Sequence, residues 1–573
     1  MNNPPIIKET PFVRETVSSE LVRLLHHVGV RQAFGVVGGA ISPFCEVLSR
    51  SEIQYIHFRH ETAAAFAALE ASLATNRPAL VFTTAGPGIT NALTGMSAAR
   101  WDGGKVLMVS ACTSPAHRGR VATQETGPTT LPGVGLFLSG APFHFATILD
   151  HPAQLGAVGA TLARGFVAPG GFVAHVSLPI SVQRDHVARL GLPQLTIEHP
   201  VTVSRDVVEA AVKMLVGRRF VVWLGFGARR AERQVRAFVE RTGAMVICSP
   251  RAKGIIPEDH PNFLGVTGLG GHDEVDPELA KIDPEYFLVL GTRMGESTSF
   301  WAKDTVPRAG FFHVDIDPSA FGAAYPDVRT RGVVSEIAPF VEQLLAVWPD
   351  DGRVSSHAAR ALPAPPVHEL RSAGPVRPQV VLAALQAEVV ETSSATVHAE
   401  SGNAFCWATN LLRFPEPNRY RVSTGFGSMG HATTGVVGAA LARRGKAVAL
   451  VGDGAMLMMN EISSAVQYGA DAVWVILNDA CYLMCDQGMR AAGMVPFGTA
   501  LPRTDFVALA RALGADGILV ERESDVRGAI RHAMQVRGPF IVDVHIDPRE
   551  VAPSGKRNRS LMQQGFDAAV SEH

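Results

Sequence analysis

Short, almost wholly apolar runs recur along this chain, each parted from the next by a segment of helical spacing. QAFGVV, IQYIHF, ALVFTT, VLMVSA and FVAHVSL come first, with the helical ETAAAFAALEASLAT between the second and third. RFVVWLG, AMVICS, YFLVLG and GFFHVDID follow, then TVHAE, RVSTG, AVALVGDG, AVWVILND and PFIVDVHID. Strand-like runs alternating with helical segments predict parallel sheets joined by crossover helices. The 573 residues exceed one hydrophobic core at a prior of ~150 residues per domain. The expected class is α/β, with three doubly wound parallel-sheet domains at 1–187, 205–350 and 378–548 and a tail at 549–573. Between them, RLGLPQLTIEHPVTVSRD (189–206) and the Pro- and Ala-rich segment 353–379 read as linkers.

Composition narrows the class further. Hydrophobic residues make up 47% and charged residues 18%, which suits extensive burial. No apolar run reaches the ~20 residues of a membrane span, and the N-terminus lacks a secretory pattern. The net charge of −1, without a long basic block, argues against nucleic acid as a partner. Cysteines 45, 112, 248, 406, 481 and 485 follow neither metal-ligand nor disulfide spacing, as expected of a reducing cytoplasm. A soluble cytoplasmic enzyme with no membrane partner is expected.

The third block carries the sharpest pattern. The run AVALV (447–451) ends on Gly452-Asp453-Gly454, and AVWVIL (472–477) ends on Asn478-Asp479, with NEISSAVQYG between them. Crossover connections bring successive parallel strands out at one sheet edge, where such sheets bind ligands. Asp453 and Asp479 are therefore expected to be neighbours. Oxygen-only ligands suit Mg²⁺, which is commonly shared with phosphate oxygens. Gly452 and Gly454 allow close backbone approach, and the helix N-terminus offers N–H groups to an anion. Taken singly, GDG and ND are also ordinary turn sequences.

GDG, a helix and then Asn-Asp resembles the metal–diphosphate motif of thiamine diphosphate (ThDP) enzymes. The resemblance implies metal ligation by Asp453, by Asp479 where that family usually has Asn, and by the backbone carbonyl of Cys481. An aspartate at this place makes the site more anionic. The interval from Asp453 to Glu461 is one residue shorter than the resemblance implies, which leaves the helix register open. Further motifs follow in family order from about residue 15 to 548. Glu61, in RHETAAAF, stands where a carboxylate reaches the cofactor's pyrimidine nitrogen. AGPGITN places Pro87 and Asn91 beside that ring, and VATQET places Gln124 towards substrate. AESGNAFCW puts Gly402 and Asn403 at the diphosphate, and GFGSMG provides Gly427 and the apolar wedge Met429. Ala455 and Met484 complete the implied cofactor contacts. The likeness is to the acetolactate synthase and pyruvate oxidase group, whose three domains are a pyrimidine-binding, a central and a diphosphate-binding domain. It implies that Glu61 meets a cofactor held by another subunit, in a homodimer or homotetramer.

In this family the thiazolium acts as electron sink while CO₂ leaves a 2-oxo acid. The expected function is a ThDP- and Mg²⁺-dependent carboligase, acetolactate synthase-like or acyloin-forming, joining the donor to a second carbonyl; the alternative is decarboxylation without carboligation. Departures bear on the choice. Paired histidines of pyruvate decarboxylases are missing from ACTSPAHRGRVATQET, which has His117 alone, and His26-His27 belongs to a helix. Ile180-Ser181 and Gly488 stand where housekeeping acetolactate synthases have Lys-Asp and Trp, so a roomier pocket is expected and FAD is not. VVWLGFGARRAE and VLGTRMGES resemble nucleotide-contacting turns, but GFGARRAE lacks the full G-x-G-x-x-G, which disfavours a nicotinamide dehydrogenase. A non-catalytic binding protein on the same fold is the third reading. The tail's SGKRNRS is either a solvated tail or a segment that meets a substrate carboxylate.

Overall fold

The computed structural model describes residues 15–126, 136–140, 142–195, 201–352 and 361–564. Residues 1–14, 196–200 and 353–360, which hold the N-terminal segment and parts of both expected linkers, lie outside the described residues, as does the end of the tail from 565. The chain forms two compact units, one within residues 1–68 and 76–196, the other within 69–75 and 197–573.

Each of the three expected blocks carries a six-stranded, wholly parallel sheet. In the first unit the spatial order is Gln54–His57, Gln32–Gly35, Ala79–Thr83, Lys105–Cys112, Phe172–Pro179, Phe145–Ile148. The second unit contains two sheets. One runs Phe263–Val266, Met245–Cys248, Phe220–Leu224, Tyr286–Leu290, Gly310–Asp315, Thr330–Val334. The other runs Tyr420–Arg421, Thr396–Ala399, Ala447–Gly452, Ala472–Asn478, Phe540–His545, Asp516–Val520. The inner strands are the apolar runs of the sequence, and residues such as Val448, Leu450, Val475 and Val542 are fully buried. No helix among the described residues is long and apolar enough to cross a membrane.

Four strands of these sheets escape the sequence reading, Phe145–Ile148, Phe263–Val266, Thr330–Val334 and Asp516–Val520, as does the small antiparallel pair Glu15–Thr16 and His186–Val187. The four lie at sheet edges. An edge strand packs against one neighbour, so its sequence need not be a continuous apolar run; Thr330–Val334 has one buried residue in five, whereas Phe263–Val266 is buried throughout and is a run of four broken by Gly265.

The crossover helix at Asp453 also differs from expectation. It is two short helices, Asp453–Met458 and Ile462–Tyr468, broken at Met459–Glu461. Glu61–Thr75, whose residues 61–68 belong to the first unit, is an alanine-rich helix capped by the His60 ring, which accepts the Thr62 amide at 3.1 Å. A Cβ on Gly95 would fall 2.4 Å from that of Ala65. This glycine lets the Pro87–Asp102 helix press against the Glu61 helix, which sets the geometry at their N-termini.

Within the second unit, an ion pair binds the central sheet's loop to the third sheet. Lys253 Nζ lies 2.7 Å from Glu258 Oε2, both side chains fully buried. The ammonium donates to the Thr409 carbonyl at 2.9 Å, and Glu258 Oε1 accepts the Phe414 amide at 3.0 Å. Removing one partner of a buried pair costs about 3–5 kcal/mol, because the other charge is stranded. Lys253→Met should therefore lower the calorimetric unfolding temperature more than Lys253→Met combined with Glu258→Gln.

Glu523, buried at the start of the Glu523–Gln535 helix, accepts from Arg377 Nε and Nη2, both at 2.7 Å, and from the Arg371 amide. The Arg377 hydrogen bonds pull its carboxyl down to about 2. A depressed carboxylate stabilises the fold above its ordinary range near 4.5, and that contribution is lost as pH falls towards 2. The unfolding-temperature gap between wild type and Glu523→Gln should be full at pH 7 and shrink by pH 3.

Candidate functional site

Parallel register sets the carboxyl ends of the third sheet side by side: the ladder between Ala447–Gly452 and Ala472–Asn478 runs to the pair Gly452–Leu477. The chain leaves one strand at Asp453 and the other at Asn478-Asp479, and the two aspartates interact. Burial raises the Asp453 carboxyl to about 6, although the amides of Gly454, Ala480 and Cys481 hold it down. Burial, and then the charge of Asp453, push Asp479 up to about 8. Asp479 Oδ1 is buried with no hydrogen-bond partner. The polar dipeptide thus divides its work. Asn478 turns into the sheet, donating to Asp543 Oδ1 at 3.0 Å and to the Thr504 carbonyl at 3.1 Å, and Asp479 alone is left for a ligand.

A buried carboxylate and a half-buried one that carries a buried, unused oxygen, the charge of the first raising the second, fit a hard divalent cation. Among the described residues no group of three or more His, Cys, Asp or Glu side chains is arranged to hold a metal. A cation here would take two carboxylates and complete its shell from backbone, water or ligand oxygens. Ala480, at φ 57°, turns the chain between Asp479 and Cys481. The Ala480 carbonyl is already used by the Leu501 amide at 2.8 Å.

The glycines fall into two kinds. A Cβ added at Gly402 or Gly452 would meet nothing within 4 Å, and at Gly427 only Ser401 Oγ at 3.9 Å. These three backbones face open space that a ligand could approach. Gly402 (φ 114°) caps the Asn403–Leu411 helix, and Asn403 Nδ2 donates to Gln487 Oε1 at 3.2 Å. Gly454 differs from expectation, because its missing side chain is replaced by Tyr482, whose Cε1 would lie 2.4 Å from a Cβ. The Gly454 amide is likewise taken, by Asp453 Oδ1 at 2.8 Å, so it is not the free donor expected of a helix start. Ala455 is buried beside it, and Met484 packs partly buried against the third-sheet core.

Sequence reasoning missed Glu400. Fully buried and raised in pKa by burial, it accepts the amides of Ser401 at 2.9 Å, Ala432 at 3.0 Å and Thr433 at 3.2 Å. Ser401 Oγ donates to the Gly427 carbonyl at 2.8 Å. Together they tie the Gly402-Asn403 turn to the Gly427–Gly430 turn that carries half-buried Met429. The one local signal is a carboxylate directly after the strand Thr396–Ala399, and it does not reveal the amide partners.

The first unit assembles the other expected residues. Glu61 begins its helix almost wholly buried, and Asn91 Nδ2 donates to its Oε2 at 3.1 Å. Pro87 is the first residue of the facing helix after Gly86, at φ 59°. A Cβ on Gly86 would meet the Cβ of Gln124 at 2.8 Å, so the exposed Gln124, itself at φ 59°, lies directly on this turn. In the central sheet the glycines of GFG serve backbone packing: a Cβ on Gly225 would lie 2.1 Å from the Gly291 carbonyl oxygen.

Comparison with known proteins gives this geometry its context. Three family models match: the thiamine pyrophosphate enzyme N-terminal binding domain over residues 15–130, the central domain over 208–344 and the C-terminal binding domain over 400–544. IlvB2 of Mycobacterium tuberculosis, provisionally named an acetolactate synthase large subunit, is 28% identical over 93% of this chain and 98% of its own. The acetolactate synthase large subunit IlvB1 of that species is 28% identical over 92% of this chain and 87% of its own. Acetolactate synthase isozyme 1 large subunit of Escherichia coli is 24% identical over 96% and 98%. With the three models in chain order spanning all three sheets, the chain belongs to the thiamine pyrophosphate enzymes.

Proposed function

We propose that this enzyme is a ThDP- and Mg²⁺-dependent carboligase that decarboxylates a 2-oxo acid and couples the remaining acyl group to a second carbonyl. The observation that carries the reading is the pair of buried Asp453 and half-buried Asp479, the first raising the second by its charge and Asp479 Oδ1 buried without a partner. In the reading, both carboxylates and the Cys481 carbonyl hold Mg²⁺, while the backbones of Gly402, Gly427 and Gly452 admit the diphosphate. When bound, the cofactor supplies a carbon nucleophile and an electron sink for loss of CO₂. Glu61 holds a proton at the pyrimidine ring nitrogen, oriented by Asn91, and Pro87 flanks the ring. Met429 supports the bent cofactor, with Asn403, Ala455 and Met484 around it, and Gln124 extends towards substrate. The similarity to acetolactate synthases supports coupling over simple decarboxylation. We further propose a homodimer or homotetramer in the cytoplasm; six free cysteines accord with a reducing compartment.

Product mass spectrometry after mixing the protein with pyruvate or aryl-2-oxo acids, with and without ThDP–Mg²⁺, tests the reading. Cofactor-dependent CO₂ loss with a coupled product is expected; free aldehyde as the sole product would replace it with a decarboxylase. Glu61→Gln should lower kcat by about 10²–10⁴-fold, the range for a lost proton-transfer group, while ThDP affinity changes by less than about tenfold. In fluorescence titrations, Asp453→Ala should abolish the Mg²⁺ dependence of ThDP binding. Asp479→Asn should retain it, because an amide oxygen still coordinates and the carboxylate repulsion is gone.

A further inference from the structure

The tail of the chain ends its described part in a helix, Gly555–Gln563, that is docked on the second unit. Lys556 Nζ reaches Asp276 Oδ2 at 2.9 Å, Ser560 is buried, and Gln564 Nε2 donates to Glu296 Oε1 at 3.0 Å. Upstream, Gln487 Nε2 donates to the Glu550 carbonyl at 2.9 Å. Gln487 is the residue whose Oε1 meets Asn403, so the Leu483–Ala491 helix touches both the Gly402-Asn403 turn and the start of the tail.

The next residue on that helix is Gly488. A Cβ there would lie 3.4 Å from Arg557 Nη1, so the guanidinium rests over bare backbone. The same charge reaches Cys406, one turn beyond Asn403, lowering a thiol that burial otherwise pushes up. Arg557 is half-buried, and among the described residues no carboxylate pairs with it; its side-chain partner is the neutral Asn558 Oδ1 at 3.3 Å. Three other arginines around the third sheet are matched by carboxylates, Arg371 with Asp547 and Glu550, Arg377 with Glu523 and Arg549 with Asp547, while Arg419, Arg443 and Arg503 donate to backbone carbonyls. A guanidinium that is partly desolvated and fixed by a docked helix, yet given no counter-charge, is suited to bind a planar anion bidentately.

We propose that Arg557 is a substrate-binding residue that takes a carboxylate retained through the reaction, so that the substrates include 2-oxo acids bearing an anionic group besides the one lost as CO₂. The proposal rests on the ThDP reading above, because the site that Arg557 borders is the one assigned to the cofactor. Gly488 leaves the room, the tail helix supplies the charge, and Gln487 couples both to Asn403.

The test is calorimetric titration of the full-length, ThDP–Mg²⁺-loaded protein with glutarate and with pentanoate, equal-length probes that cannot turn over. Wild type should bind glutarate at least tenfold more tightly. Arg557→Ala should erase that preference, Arg557→Lys should keep part of it, and Arg559→Ala, an exposed neighbour on the same helix, should leave it unchanged. Kinetically, Arg557→Ala should raise KM for 2-oxoglutarate about tenfold or more relative to 2-oxopentanoate, with kcat little altered. Equal affinity for the two probes in wild type, or an undiminished preference in Arg557→Ala, would overturn the proposal. ThDP binding is measured in the same samples: its failure in wild type would overturn the cofactor reading together with this one, whereas intact ThDP binding without a glutarate preference sinks this one alone.

Discussion

A strand that runs parallel to its neighbour cannot return by a tight hairpin, so the chain must cross the face of the sheet before pairing again. Every such strand leaves the sheet at the same edge. The placement of the candidate site residues follows from that constraint. Asp453 and Asp479 are distant in sequence, yet their strands pair in register up to Gly452 and Leu477, and both carboxylates emerge together. Glu61, the turn at Pro87 and Gln124 likewise follow three strands of the first unit's sheet, Gln54–His57, Ala79–Thr83 and Lys105–Cys112, of which the last two are neighbours.

What the third sheet gathers at its edge is costly by itself. Burial raises the proton affinity of both carboxylates, the charge of Asp453 raises that of Asp479 further, and the fold supplies backbone amides and the more distant Arg503 as partial relief. Groups whose titration is displaced by burial and by a like charge recur at sites that bind or react. A structural ion pair looks different. At Lys253 and Glu258 opposite charges meet, each with a further hydrogen-bond partner, and at Glu523 a carboxylate is fully supplied with donors. One protein thus contains both arrangements, a like-charged pair with an unpartnered oxygen and opposite charges fully supplied with partners.

Much of this was legible in the residues. The inner strands were, because burial on both faces demands continuous apolar runs, and so was the pairing of strand-end aspartates. Edge strands such as Thr330–Val334 were not, since exposure frees them from that demand. The separate fates of Asn478 and Asp479 depend on Asp543, a residue on the next strand over, which no local pattern reveals. Glu400 was hidden for a similar reason: its three amide partners lie partly across the sheet edge, and their count is a property of three dimensions. Gly454 was read as a place where the backbone approaches a ligand, and the group that lies against it is the protein's own Tyr482.

That last contact has a reach beyond its size. Tyr482 sits three residues after Asp479 and opens the helix that carries Gln487 and Gly488. Its ring occupies the volume that any side chain at 454 would need, so the two positions behave as one mechanical part. Evolution is not free to enlarge residue 454 without also shrinking residue 482, and the two should drift as a pair. A tyrosine pressed on a glycine here is a gauge block, holding the spacing between two loops that never meet in the chain's own order.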